Sequence, residues 1–104
     1  MSRIAIVAYE TSTAVCSSMM MHVDMMADCG HDIVMLIQNK VDRSLFKDYN
    51  YKMDSFERPS ELPDLFSKYN TEVVWCTNTM YVMKLVRITK LPIYLWKQGD
   101  TAAE

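Results

Sequence analysis

The sequence is short of most features that mark a specialised small protein. Its three cysteines, at positions 16, 29 and 76, form no CxxC pair and have no Cys/His spacing that would hold zinc. An odd number so spaced argues against a disulfide framework, and a reducing, cytoplasmic setting is expected. Positive charge is not in excess: 11 Lys and Arg stand against 13 Asp and Glu, a formal net charge of −2. A general nucleic-acid binder needs clustered cations to displace counterions, so no nucleic-acid partner is expected. No long hydrophobic run is present. The N-terminal Ile4-Ala5-Ile6-Val7-Ala8 is too short for a signal sequence or a transmembrane segment. Only two glycines occur, and neither lies where a phosphate-cradling loop would want one, between the first apolar run and the first helix. Internal repeats, low-complexity segments and interdomain linkers are absent.

What is there is enough for a core. Half of the 104 residues are hydrophobic and 23% are charged, which places the chain far from disorder and at one domain spanning 1–104. By the usual surface scalings, roughly two-thirds of the chain's surface can be buried on folding. Ten methionines are unusual; Met fills irregular cores well, and core filling is their expected role.

Four short apolar runs are the main organising signal. Residues 3–8 read as a strand buried on both faces, and 33–37 as a second. Between them Val15, Met19, Val23 and Met26 recur at helical steps from about 13 to 29, and Gly30 sits where a left-handed helix cap belongs. Strand, helix and strand in this order make a right-handed βαβ unit with parallel strands. Residues 39–60 are less regular, with a helical turn near 41–46 and a short extended segment within 49–56. A helix is expected from Ser60, as its cap, to about 69, with Leu62, Leu65, Phe66 and Tyr69 as its apolar stripe. The third strand is 73–77, a helix follows over 78–88, and the fourth strand is 93–96. The expected fold is a three-layer, Rossmann-like α/β domain with a parallel sheet in the order 2-1-3-4. Ile6, Val34, Val74, Trp75 and Ile93 should be buried in it.

In such a sheet ligands bind outside the carboxyl ends of the strands, where the strand order reverses. The loop after strand one, with Thr11, Ser12 and Thr13, precedes a helix start and is the best anion site in the chain. Simple capping by these hydroxyls is the plainer explanation. Cys16, in the same helical turn, lacks a neighbouring Arg or Lys to complete a phosphate cradle. His22 and His31 read as partly buried or capping residues, and no metal ligand set is expected. Asp32 and Asp54 lack the acidic partners of a phosphoacceptor site.

The stretch Gly30-His31-Asp32-Ile33-Val34 after a long helix resembles the N-terminal domain of family 4 glycosyltransferases of the GT-B fold. Thr71 to Asn78 and Leu91 to Trp96 followed by Gly99-Asp100 are similar to later strands of that family. The resemblance implies the acceptor-side half of a two-domain enzyme, with a sugar or glycan acceptor and a nucleotide-sugar donor held by a C-terminal domain not in this sequence. Transfer by this chain alone, and a cofactor, are not expected. Under that resemblance Thr11, Ser12, Thr13, Asn78, Thr79, Gln98 and Gly99 would line one wall of an acceptor cleft, with Asp100 as general base. The chain departs from the family where Thr11-Ser12-Thr13-Ala14 replaces a glycine-rich loop and where Gln98 replaces a histidine. A flavodoxin-like or phosphotransfer-carrier-like domain and a non-catalytic interaction module are the alternatives. Self-association along the edge of the fourth strand is a further expectation.

Overall fold

The computed structural model describes residues 2–9, 13–76 and 79–95, with the backbone alone at 13–16 and 79–80. Five strands, β1 (Arg3–Ala8), β2 (Asp32–Gln38), β3 (Lys52–Phe56), β4 (Val73–Cys76) and β5 (Ile93–Leu95), form one sheet in the order β3-β2-β1-β4-β5. Every neighbouring pair is parallel. The helices are α1 (Thr13–Asp28), α2 (Leu62–Lys68) and α3 (Thr79–Leu85). This is the three-layer α/β class expected. The four expected strands keep their order, and β3 is added outside β2.

Burial on both faces explains why β1 and β2 are uniformly apolar. Ile4, Ile6 and Ala8 of β1, with Ile33, Met35 and Ile37 of β2, pack against Met19, Met20 and Val23 of α1 and against Phe46. The alternate residues Ala5, Val7, Val34 and Leu36 face Leu62 and Phe66 from α2 and Tyr81 and Leu85 from α3. Among the described residues, α1 and the 3-10 turn Arg43–Phe46 lie on one side of the sheet, and α2 and α3 on the other.

Two helix ends are closed in the same way. Gly30 takes φ +93°, which lets the Gly30 amide donate to the Ala27 carbonyl and the His31 amide to that of Met26. Asn70 takes φ +53°, and the amides of Asn70 and Thr71 donate to the carbonyls of Ser67 and Phe66. The chain then turns straight into the next strand in both places.

Several local expectations are corrected. The helix expected from Ser60 begins as a 3-10 turn, Pro59–Glu61, before α2, and its start is held by Glu61, whose carboxylate accepts from the amides of Glu57 and Arg58, both at 3.1 Å. The helix expected over 78–88 ends at Leu85; Met83, Val86 and Ile88 are exposed, and Tyr81 and Leu85 are the buried anchors of α3. Ile6, Val34 and Val74 are buried as expected, whereas Trp75 and Ile93 are only partly so. The cause for Trp75 is a bare stretch of sheet: Val73, Trp75 and Tyr94 line an open hollow of about 490 Å³ with Met26 and His31. No helix among the described residues is long and apolar enough to cross a membrane.

Candidate binding site at the carboxyl edge

The order β3-β2-β1-β4-β5 has one reversal. From β1 the chain passes through α1 to β2 on one side, and the later strands β4 and β5 lie on the other. The crevice of such a sheet therefore opens between the carboxyl ends of β1 and β4.

Two tyrosines meet there. Tyr9 follows β1 directly and continues its alternation, so that Ala5, Val7 and Tyr9 belong to the same side of the sheet. Tyr81 lies in the opening turns of α3, just beyond β4, and is 1% exposed. Their rings stack with centroids 3.9 Å apart and planes 26° from parallel. Phe56, at the end of β3, lies 6.1 Å from Tyr81, and the ammonium of Lys84 sits 5.7 Å from the Tyr81 ring centre. Offset aromatic contacts of this kind add about 0.5–1.5 kcal/mol beyond the area they bury. Burial is the main reason that the Tyr81 phenol is pushed well above its ordinary pKa, with Tyr9 and Cys76 adding to it. Tyr81 is thus a neutral, fixed base under the crevice, and the partly exposed Tyr9 ring is its upper surface.

Beside this stack, Gln38 ties down the carboxyl end of β2. Its side-chain amide donates to the Glu57 carbonyl at 3.2 Å and its carbonyl accepts from the Lys40 amide at 2.7 Å. This holds the ends of β2 and β3 together.

Of the expected site residues, Thr13 and Thr79 are the first residues of α1 and α3, so both helix starts lie at this edge, one after β1 and one after β4. Thr11, Ser12, Asn78, Gln98, Gly99 and Asp100 lie outside the described residues. Tyr9 and Tyr81 were not among the expected residues. Continuing the β1 alternation by one residue past Ala8 would have found Tyr9.

The opposite edge carries a polar cavity of about 140 Å³ lined by Arg3, Asp32, Lys52, Lys68 and Thr71, among others. Its lysines are answered by carboxylates, Lys52 by Asp32 at 3.9 Å and Lys68 by Asp54 at 3.1 Å. Among the described residues no group of three or more His, Cys, Asp or Glu is placed to hold a metal.

The sequence matches no family model and no curated protein. Among solved structures, the fold is similar to that of a protein from the universal stress protein family from Burkholderia pseudomallei. The TM-score is 0.60 and the identity 12%, over 91% of this chain and 96% of that one. The likeness is one of fold alone. It overturns the glycosyltransferase reading, because here the same architecture fills almost the whole of a protein of another family and does not imply a donor-binding half.

The motif behind that reading has a local explanation. Gly30 supplies the left-handed cap of α1, Asp32 opens β2, and His31 Nδ1 accepts a hydrogen bond from the Ser2 amide at 3.0 Å. Gly-His-Asp therefore serves the turn from helix to strand. Sugar acceptor and nucleotide-sugar partners go with the corrected reading.

Proposed function

We propose that this chain is a small α/β binding module that takes a planar organic anion at the carboxyl edge between β1 and β4. The observation that carries the proposal is the Tyr9–Tyr81 stack at the reversal of strand order, with the starts of α1 and α3 on either side. An aromatic ring held from below by a second ring loses little freedom when a third planar group stacks on it. The 16-residue α1 directs its first amides to the same edge, where they favour negative charge; the hydroxyls of Thr11, Ser12 and Thr13 are proposed to join them in holding the anion. Asn78 and Thr79, at the start of α3, are proposed to bond the polar rim of the ligand. The reading belongs with the alternative of a small α/β domain working through binding.

Calorimetry with the full chain tests it. The probes are a purine mononucleotide, flavin mononucleotide, the corresponding nucleoside and inorganic phosphate. A mononucleotide should bind more tightly than either phosphate or nucleoside alone. Stacking of a planar base on an aromatic side chain contributes about 1–3 kcal/mol, so Tyr9→Ala should weaken binding by about tenfold or more, and Tyr9→Phe should retain it. Equal affinity of wild type and Tyr9→Ala for every probe would refute the proposal.

A further inference from the structure

The charges of this chain are divided between the two layers that cover its sheet. From Ile4 to Asn39 the sequence holds Glu10, Asp24, Asp28 and Asp32 and no Lys or Arg. From Val73 to Gly99 it holds Lys84, Arg87, Lys90 and Lys97 and no Asp or Glu. The first stretch contains α1 and the second α3, which lie on opposite sides of the sheet.

Each helix also leaves apolar side chains in water on its outer face. On α1, Met19, Met20 and Val23 are fully buried, whereas Met21 and Met25 are 67% and 64% exposed. Met21, Asp24, Met25 and Asp28 follow the i, i+3, i+4, i+7 spacing of a single stripe, opposite the buried one. Asp28 is exposed, and the half-buried Asp24 accepts from the Tyr51 hydroxyl. On α3 the buried anchors are Tyr81 and Leu85. The amides of Val86 and Ile88 donate to the carbonyls of Val82 and Leu85, both at 3.0 Å, so a hydrogen-bonded turn continues past Leu85. Met83, Val86 and Arg87 repeat the i, i+3, i+4 step on its outside, with Lys84, Ile88 and Lys90 exposed around them. Among the described residues none of these three cations has a carboxylate partner. Neighbouring elements do not reverse the pattern. α2, beside α3, carries one exposed residue of each sign, Asp64 and Lys68. On the α1 side the Arg43 guanidinium donates to the Ser55 hydroxyl at 2.7 Å.

We infer that copies of this chain associate head to tail, the outer face of α3 in one copy seated on the outer face of α1 in the next. Two apolar strips of similar spacing meet, Met83 and Val86 against Met21 and Met25, and Arg87 with its neighbouring lysines faces Asp28 and Asp24. Opposite charge on the two faces fixes which face meets which. The contact is heterologous: every added copy brings one unused face, and the assembly grows until it closes on itself. Both helices begin at the carboxyl edge, so Asp28 and Arg87 stand at the far ends and the crevice stays open.

Sedimentation velocity of the full chain, from about 10 µM to about 1 mM, tests this. The average mass should rise with concentration at low salt, and the association constant should fall by about tenfold or more in about 0.5 M salt. Asp28→Lys and Arg87→Glu alter exposed side chains, so folding is spared, which circular dichroism verifies. Each variant alone should associate at least about tenfold more weakly than wild type. An equimolar mixture of the two should regain the contact, because the intact α3 face of one meets the intact α1 face of the other. Wild type that stays monomeric at about 1 mM overturns the proposal, even if α3 then takes the protein to vesicles of anionic lipid. Weakening by only one of the two substitutions also overturns it, since like face would then be docking on like face. So does a mixture that associates no better than its components.

Discussion

The Tyr69 hydroxyl donates to Asp54 Oδ2 at 2.7 Å, joining the end of α2 to the edge strand β3. The Ser55 amide donates to Asp54 Oδ1 at 2.8 Å, and Lys68 reaches Oδ2 at 3.1 Å. The Tyr69 bond is the main cause holding the Asp54 carboxyl below its ordinary pKa, followed by the Ser55 amide. A carboxyl with a lowered folded pKa contributes stability that is complete above its unfolded value, near 3.9, and is lost as pH falls through the folded value. Tyr69→Phe should therefore cost about 1 kcal/mol at neutral pH, and the cost should shrink below about pH 3. Lys68 is 62% exposed and its removal should matter less. Urea unfolding as a function of pH measures both; a loss from Tyr69→Phe that persists undiminished at low pH would contradict the assignment.

The two helix caps make separable demands on the backbone. Space for a side chain at Gly30 is open, with no atom within 4 Å of an added Cβ, so Gly30→Ala should be penalised by its φ of +93° alone. A loss of about 1–2 kcal/mol is expected. Asn70 already tolerates its positive φ, and Asn70→Gly should be neutral or stabilising, while Asn70→Ala should destabilise. Denaturation midpoints of the three variants provide the check.

Core and surface methionines of α1 should respond oppositely to truncation. Met20→Ala removes a fully buried side chain and should cost about 2–5 kcal/mol. Met25→Ala, at a position 64% exposed, should change stability by no more than about 0.5 kcal/mol. Similar losses in the two would mean that the helix face is wrongly assigned.

Tyr51 donates its hydroxyl to Asp24 of α1. Burial first, then this bond and the charges of Asp24 and Asp28, push its phenol up to about 12. A raised folded pKa gives stability that is complete below the unfolded value, near 10, and is lost as pH rises towards 12. Wild type should thus lose stability across that interval, and Tyr51→Phe should lose less. Thermal melts between pH 9 and 11.5 decide the matter; parallel curves would remove Tyr51 as a cause.

The legible part of the fold is the part in which burial dictates residue type. β1 and β2 are apolar at nearly every position because helices cover both faces, and α1 declares itself through its period and Gly30. β3 was seen only as a short extended segment, because Lys52-Met53-Asp54-Ser55-Phe56 pairs on one side alone and needs only Phe56 buried. Gly30-His31-Asp32 misled about function, since the turn it builds is a requirement of any βαβ unit of this shape. Tyr9 and Tyr81 carry no motif: only the sheet order brings residues 72 positions apart into one stack. The methionines were readable as a count but not as two groups, because exposure depends on which side of α1 the sheet lies.

The central claim, that the crevice between β1 and β4 is the binding site, is tested most directly by amide chemical-shift mapping of the full chain with a purine mononucleotide. Shifts confined to residues 8–13 and 76–81, with a line-width or position change in the Tyr9 ring signals, are the expected result. Shifts centred instead on Arg3, Lys52 and Lys68 at the opposite edge, or no shifts at millimolar ligand, would contradict the account.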